Sequence, residues 1–234
     1  MSEFRFKQFT IRQHRTPMKV GTDGVLLGAW VEVRPSDRRI LDIGTGTGVI
    51  ALMLAQRAPE AQITGVDVGD VAEACENAEQ SPWATRVSFV QQPIQQFTAE
   101  PFDLIVSNPP FFVEALTCPD PGRSLARHAV ELPFEELRDA VVRLLAPMGR
   151  FALVLPTQEA ARFVALCEGK LAVIRRCEVR TTPRHPAKRV LLEMMHTGEQ
   201  STTTATETLT IGTGVSEVFT EEYRLLTHDF YLKF

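Results

Sequence analysis

Asn108-Pro109-Pro110-Phe111 closes the apolar run Phe102-Asp103-Leu104-Ile105-Val106-Ser107. The run has the length and composition of a strand, and two consecutive prolines forbid its continuation and remove two backbone donors. What remains is a rigid turn at a strand's carboxyl end, offering an amide side chain, the Pro109 carbonyl and a flat aromatic face. That set suits a planar group bearing an NH2. Asn108 Oδ1 and the Pro109 carbonyl can accept both amino hydrogens while Phe111 stacks on the plane. Alone, the four residues read equally well as a structural turn with a buried phenylalanine. Asn108, Pro109, Pro110 and Phe111 become candidate catalytic residues through what lies upstream.

Upstream, Arg39-Ile40-Leu41-Asp42-Ile43 reads as a strand and Gly44-Thr45-Gly46-Thr47-Gly48 as a turn. Val49 to Arg57 follows with the apolar spacing of a helix (Ile50, Leu52, Met53, Leu54). Strand, glycine turn and helix make the nucleotide-cofactor loop of a doubly wound sheet. The glycines fall as G-x-G-x-G, with Val49 where a dinucleotide fingerprint places its third glycine. Asp42 would repel a pyrophosphate at the helix N-terminus. It suits instead a ligand carrying an ammonium and a sulfonium, as S-adenosylmethionine does. A second strand, Gln62-Ile63-Thr64-Gly65-Val66, ends in Asp67, a carboxylate placed to accept both ribose hydroxyls, with Val68 beside it. Asp42, Gly44, Gly46, Gly48, Asp67, Val68 and Asn108 are therefore the expected cofactor-binding residues. Thr22 joins them from the turn Val20-Gly21-Thr22-Asp23-Gly24, which borders the cofactor's methionine end or simply caps the helix expected over Val25 to Val33.

The elements that position these residues fit one α/β domain. At 234 residues, 44% hydrophobic and 23% charged, the composition is that of a soluble globular chain with room for a single large core. No stretch approaches a membrane span and the N-terminus lacks a signal-peptide core. Cys75, Cys118, Cys167 and Cys177 are scattered without a C-x-x-C pair, which favours reduced thiols in a cytoplasm. Neither they nor the five histidines have metal-ligand spacing, so no metal is expected. No obligate protein partner is evident.

The net charge of −4 is unevenly distributed. Residues 1–20 hold Arg5, Lys7, Arg12, Arg15 and Lys19 against Glu3, a net +4. Residues 170–190 hold Lys170, Arg175, Arg176, Arg180, Arg184, Lys188 and Arg189 against Glu178, a net +6, so the remainder is strongly acidic. Either segment alone is readily a solvated face. Together they make a phosphate-backbone footprint if the fold brings them to one rim.

Residues 1–20, where Phe4, Phe6, Phe9 and Ile11 partly alternate with basic residues, are expected to form an N-terminal basic extension or arm, and residues 21–234 the main domain. Val71 to Gln80 reads as a helix, Arg86 to Val90 as a strand and Phe134 to Leu145 as an amphipathic helix. Gly149 to Leu155 reads as a buried strand and Glu159 to Cys167 as a helix. Ala172 to Val179 and Arg189 to Met195 read as strands joined by the basic, Pro-rich Thr181 to Pro186. From Phe112 to Pro133 the chain is polar and Pro/Gly-bearing, as a mobile substrate loop would be, with Arg123, Arg127 and His128 as phosphate candidates. The threonine-rich 201–210 suggests an exposed hairpin, and the apolar Phe219 to Phe234 a docked last strand.

These residues resemble the seven-stranded, mostly parallel, Rossmann-like S-adenosylmethionine-dependent methyltransferases that modify exocyclic amino groups. Among them the chain is similar to the bacterial family that methylates N6 of an adenosine next to the anticodon of a valine tRNA. The narrower signature is Phe6 to Ile11, Met18 to Leu27, Asn77 with Ser81-Pro82-Trp83, Arg127-His128 and the ending Asp229-Phe230-Tyr231-Leu232. The resemblance implies S-adenosylmethionine as cofactor, tRNA as substrate, and Lys7, Arg12, Arg15, Lys19, Arg123, Arg127, His128, Arg184 and Lys188 as candidate RNA contacts. One departure stands out. Related enzymes follow the third strand with an acid near the cofactor's adenine, whereas this chain has Gln91-Gln92-Pro93-Ile94, so adenine recognition falls to Gln92 or to backbone groups. Other readings remain: a guanine-N2 enzyme acting on ribosomal RNA, a protein-glutamine N5 enzyme, or a non-catalytic module binding adenosylmethionine or RNA.

Overall fold

Residues 39–43, 62–67, 87–91, 102–107 and 145–156 are short apolar runs, and a parallel sheet covered on both faces is where such runs are buried. The structure, a computed structural model, describes residues 2–110, 132–198 and 204–234. In chain order it contains β1 (Glu3–Arg5), β2 (Thr10–Arg12), α1 (Thr22–Trp30), β3 (Arg39–Ile43), α2 (Val49–Arg57) and β4 (Gln62–Asp67). Then come α3 (Ala72–Glu79), β5 (Val87–Gln91), β6 (Phe102–Ser107), α4 (Phe134–Leu144) and β7 (Leu145–Pro156). The chain continues through α5 (Thr157–Leu166), β8 (Leu171–Arg180), β9 (Arg189–His196), β10 (Ala205–Thr210) and α6 (Glu221–Thr227).

The main sheet has the order β10-β8-β9-β7-β6-β3-β4-β5, and β9 alone runs antiparallel to its neighbours. Seven of these strands are the ones expected; β10 adds an eighth at one edge. The chain builds outward from β3 through β4 to β5, then returns to place β6 on β3's other side. The strand order therefore reverses between β3 and β6, and in open α/β sheets ligands bind at the carboxyl ends of the strands at such a switch.

Alternate strand residues feed two cores, because successive side chains point to opposite faces. Ile40, Leu104, Val106, Ala152 and Val154 pack with Leu26 and Leu27 of α1 and Leu52 of α2. Leu41, Ile43, Ile105, Leu153 and Leu155 pack with Leu137 and Val141 of α4 and Phe163 of α5. Helices α1 and α2 approach so closely that a Cβ on Gly28 would lie 2.8 Å from Met53 Sδ.

Three expectations are corrected. Residues 219–234 do not add a strand to the sheet. Thr220 caps α6 by accepting from the Tyr223 amide at 3.2 Å, and after it Tyr231 makes only an isolated antiparallel bridge to Phe6. Tyr223 and Thr227, one turn apart, are its buried residues, so the apolar content served a helix and an aromatic cluster. Within 201–210, Ala205–Thr210 is a single edge strand pairing in parallel with β8, not a hairpin arm; residues 199–203 lie outside the described ones. Helix α1 starts at Thr22 rather than Val25, its N-cap is Gly21, and neither Thr22 nor Asp23 caps it.

Residues 3–12 form the antiparallel pair β1–β2, whose Phe6, Phe9 and Ile11 are buried in the first core. The Phe6 and Phe9 rings stack 4.5 Å apart.

Candidate functional site

At the β3/β6 switch, Ile43 and Ser107 are register partners, and Ser107 Oγ donates to the Ile43 carbonyl at 2.9 Å. That bond keys the end of β6 to the start of the glycine loop. The next residue, Asn108, is half-buried and Pro109 is buried. Helix α1 lies alongside: a Cβ on Gly24 would sit 3.8 Å from Asn108 Nδ2 and 3.7 Å from Val49 Cγ1 at the start of α2. The Asn108-Pro109 turn, the glycine loop and the beginnings of α1 and α2 thus come together. Phe111, Arg123, Arg127 and His128, with the expected loop Phe112 to Pro133 up to residue 131, lie outside the described residues.

The glycine loop owes its shape to backbone angles that L side chains rarely adopt: Gly44, Gly46 and Gly48 have φ of +73°, +54° and +79°. The Gly44 amide donates to the Val66 carbonyl at 2.8 Å, which ties the loop to β4. Beneath it, the Phe89 ring of β5 fills the space where side chains on Gly48 and Gly65 would stand, at 2.7 and 2.4 Å from their would-be Cβ atoms. Gly44 faces open space, and the nearest atom to a Cβ on Gly46 would be Thr16 Cγ2 at 3.9 Å. A side chain at Gly46 would be strained by its φ and would take up the approach to the loop, but it would not collide with the fold.

Asp67 organises two loops at once. Its Oδ2 accepts from the Gly46 amide and its Oδ1 from the Gly69 amide, both at 2.8 Å. A carboxylate oxygen retains a second lone pair, so the group can still receive hydroxyl donors from outside. Val68 beside it is 48% exposed. Gln92 is half-buried; its amide nitrogen donates to the Asp67 carbonyl at 2.8 Å, and its side chain donates to the Gln96 carbonyl at 3.2 Å. Thr22 is exposed in the first turn of α1.

Asp42 is fully buried. Thr45 Oγ1 donates to Oδ2 at 2.7 Å, while Oδ1 has no hydrogen-bond donor among the described residues. Burial pushes its carboxyl up to about 7, against the opposing pull of the Thr45 hydroxyl and the Ala51 amide; the neighbouring Asp67 charge adds to the rise. The unpartnered Oδ1 leaves a buried acceptor for a cationic group. Asp42, the glycine loop and Asp67 therefore fit a ligand that is cationic at one end and carries a diol at the other.

Parts of the two basic segments reach the carboxyl end of the sheet, whereas Lys170, at the other end of β8, pairs with Asp139 at 2.8 Å. Thr16 lies against Gly46, and Arg189 Nε donates to Asp23 Oδ2 of α1 at 2.8 Å. Arg189 is the register partner of Pro156 at the carboxyl end of β7, so the loop 181–188 crowns that end. Arg184 and Lys188 are exposed there. The N-terminal cations are more occupied. Lys7 Nζ donates to the carbonyls of His228 and of Phe234, the latter at 2.7 Å, and so clamps the C-terminus. Lys19 Nζ donates to the carbonyls of Gln13 and Thr16. Arg12 and Arg15 are about half exposed, paired with Glu3 at 3.9 Å and Glu76 at 2.6 Å.

Sequence reasoning missed Thr45 and Phe89. The Thr45 contact was accessible, since a hydroxyl three residues beyond a buried aspartate is a common partner. Phe89 acts through tertiary proximity alone. Among the described residues there is no cluster of three or more metal-ligating side chains, and no helix is long and apolar enough to cross a membrane.

The methyltransferase small domain family matches residues 21–162. Over its whole length the chain is similar to proteins named tRNA1(Val) (adenine(37)-N6)-methyltransferase. That of Bacteroides thetaiotaomicron is 44% identical over 98% of this chain and 97% of the relative. That of Trichodesmium erythraeum is 42% identical over 100% and 99%, and that of Tolumonas auensis 49% identical over 81% of each. Among solved structures, a "predicted O-methyltransferase" of Agrobacterium tumefaciens superposes with a TM-score of 0.67 at 18% identity, covering 89% of this chain and 96% of that one. At that identity the likeness speaks for the fold.

Proposed function

The chain belongs to the methyltransferase small domain family and, within it, to the tRNA1(Val) (adenine(37)-N6)-methyltransferases, and from that premise we propose that it methylates N6 of the adenosine 3′ to the anticodon of a valine tRNA, using S-adenosylmethionine. The observation that carries the reading is the convergence of Asp42, the glycine loop, Asp67 and Asn108 at the β3/β6 switch. When bound, S-adenosylmethionine supplies an electrophilic methyl on a sulfonium, with a neutral thioether as leaving group. Asp42 would hold its cationic methionine end, and Asp67 would accept from its ribose hydroxyls. The glycine loop, free of side chains, allows the backbone to approach.

An exocyclic amino nitrogen is a poor nucleophile because its lone pair is delocalised into the purine. Asn108 Oδ1 and the Pro109 carbonyl accept both amino hydrogens, which favours pyramidalisation and directs the lone pair out of the ring plane. Phe111, outside the described residues, would stack on the base. No strong base is needed before attack, so positioning and preorganised acceptors do most of the work. The target base must leave its stack, which costs least in a single-stranded loop.

Asp67→Ala is expected to weaken adenosylmethionine binding by about 1.5 kcal/mol or more, roughly tenfold, the scale of hydrogen bonds to a charged group. The loss includes the loosened Gly46 and Gly69 amides. Unchanged affinity by calorimetry would remove Asp67 from the site.

Arg184 and Lys188 are read as phosphate-binding cations. Changing both to serine is expected to flatten the slope of log affinity for tRNA against log salt by about 0.7 to 0.9 for each phosphate no longer neutralised. An unaltered slope returns them to the solvated surface.

The function itself is tested by mass spectrometry of tRNA from cells lacking the gene. N6-methyladenosine should disappear from the position 3′ to the valine anticodon and return when the gene is restored. An unchanged N6-methyladenosine level at that position would overturn the substrate while leaving the methyltransferase fold intact.

A further inference from the structure

Glu73, in the first turn of α3, is buried, yet its carboxylate is satisfied by another segment's backbone. Oε1 accepts from the His14 amide at 2.5 Å and the Arg15 amide at 3.1 Å; Oε2 accepts from the Thr16 amide at 2.9 Å and Thr16 Oγ1 at 2.5 Å. One turn later Asn77 continues the grip. Its Oδ1 accepts from the Arg12 amide at 2.8 Å, and its Nδ2 donates to the carbonyls of Arg12 and Thr47, each at 3.0 Å. Thr47 belongs to the glycine loop, so α3 ties residues 12–16 directly to it.

The segment that follows is closed on itself. The Val20 amide donates to Gln13 Oε1 at 2.7 Å, and Lys19 Nζ spans the Gln13 and Thr16 carbonyls. Its inner side puts Thr16 beside Gly46, its outer side leaves Met18 64% exposed, and its end runs into α1, whose Gly24 faces Asn108. One short loop thus borders the glycine loop at one end and the reacting turn at the other.

We propose that Glu73 is a positioning residue for cofactor binding: by gathering the amides of His14, Arg15 and Thr16 it holds residues 13–20 as a preformed wall of the glycine-loop site. The proposal rests on the reading that this site takes S-adenosylmethionine. Without the carboxylate, three consecutive amides lose their acceptor and the loop must be ordered at the moment of binding, which subtracts from affinity. Burial pushes the Glu73 carboxyl up, but the Thr16 hydroxyl and the three amides together outweigh it and hold it at about 2, below its ordinary 4.5. A depressed carboxyl gives the fold stability that is complete above its unfolded value near 4.5 and is lost as pH falls from there to about 2. The clamp therefore stays charged across any pH at which the enzyme is assayed.

The test compares the full-length wild type with Glu73→Ala and Glu73→Gln, using S-adenosylmethionine as the calorimetric ligand. Glu73→Ala should raise Kd and the cofactor KM at least about fivefold, with kcat at saturating cofactor within about twofold of wild type, since ordering costs of this size act on binding. Glu73→Gln, which keeps one carbonyl acceptor, should recover part of the affinity. In the ligand-free wild type the bonds after Arg15 and Lys19 should already resist trypsin relative to the bond after Arg184. A folded Glu73→Ala protein with wild-type affinity overturns the proposal. So does a ligand-free wild type cleaved after Arg15 and Lys19 as fast as after Arg184, a result that stands even if the alanine variant does not fold. A wild type that binds no S-adenosylmethionine overturns the cofactor reading itself, and this proposal with it.

Discussion

Asn108→Ala is expected to lower kcat by roughly a hundredfold or more while adenosylmethionine affinity stays near that of the wild type. The magnitude is that of removing one preorganised polar group that acts in a transition state. The side chain stands beyond the last strand residue, and the Ser107 bond to Ile43 that keys the turn does not involve it. Its neighbour across the gap is a glycine, Gly24, with no side chain to collapse into the space. Truncation should therefore remove the amino-group acceptor without displacing the glycine loop. Single-turnover kinetics at saturating tRNA and cofactor measure the step directly. A kcat within about threefold of wild type would sink the catalytic assignment, and a parallel loss of cofactor affinity would make Asn108 a binding residue instead.

Cofactor affinity is expected to fall as pH drops below about 7, approaching tenfold per pH unit, or about fiftyfold between pH 7 and pH 5. The cause is Asp42, whose carboxyl burial holds at about 7 with Oδ1 lacking a donor. A bound cation lowers that value, so below it the ligand must expel a proton in order to bind. In the protein without ligand the sign is the reverse of a salt-bridged aspartate. A raised carboxyl costs the fold stability progressively as pH rises from the unfolded value near 3.8 to about 7, and the cation restores it. Calorimetry in buffers of different ionisation enthalpy should detect up to one proton released on binding near pH 6. Asp42→Asn should flatten the pH dependence, and a dependence that survives the substitution would place its origin elsewhere. Glu73 is not a competing source, because its carboxyl is ionised throughout this range.

The parts of the site legible in the sequence are those built from neighbours in the chain. A strand followed by alternating glycines, a strand ended by two prolines, and an aspartate closing the second strand are each specified within a few residues. Their consequences appear in the structure as three left-handed glycines, the Asn108 turn at the β3/β6 switch, and Asp67 holding two amides. The apolar content of 219–234 was equally visible but ambiguous, because an aromatic-rich stretch serves a strand or a helix. What decided it was the Thr220 cap and the burial of Tyr223 and Thr227 one turn apart.

By its own pattern, then, the chain determined a doubly wound sheet, the order of its glycine loop and strand-end carboxylates, and the shape of the Asn-Pro-Pro turn, because hydrophobic period, glycine φ and proline geometry are local properties. Only the tertiary structure decided which charges are free to act. Lys7 and Lys19 looked like part of a basic footprint, yet their ammonium groups are spent on backbone carbonyls, whereas Arg184 and Lys188 stand exposed at the rim. Glu73 lies in the helix read over 71–80, and folding placed the His14, Arg15 and Thr16 amides, from near the N-terminus, around it. Composition counts charges, but a charge's role depends on the partners that the fold brings within about three ångströms of it.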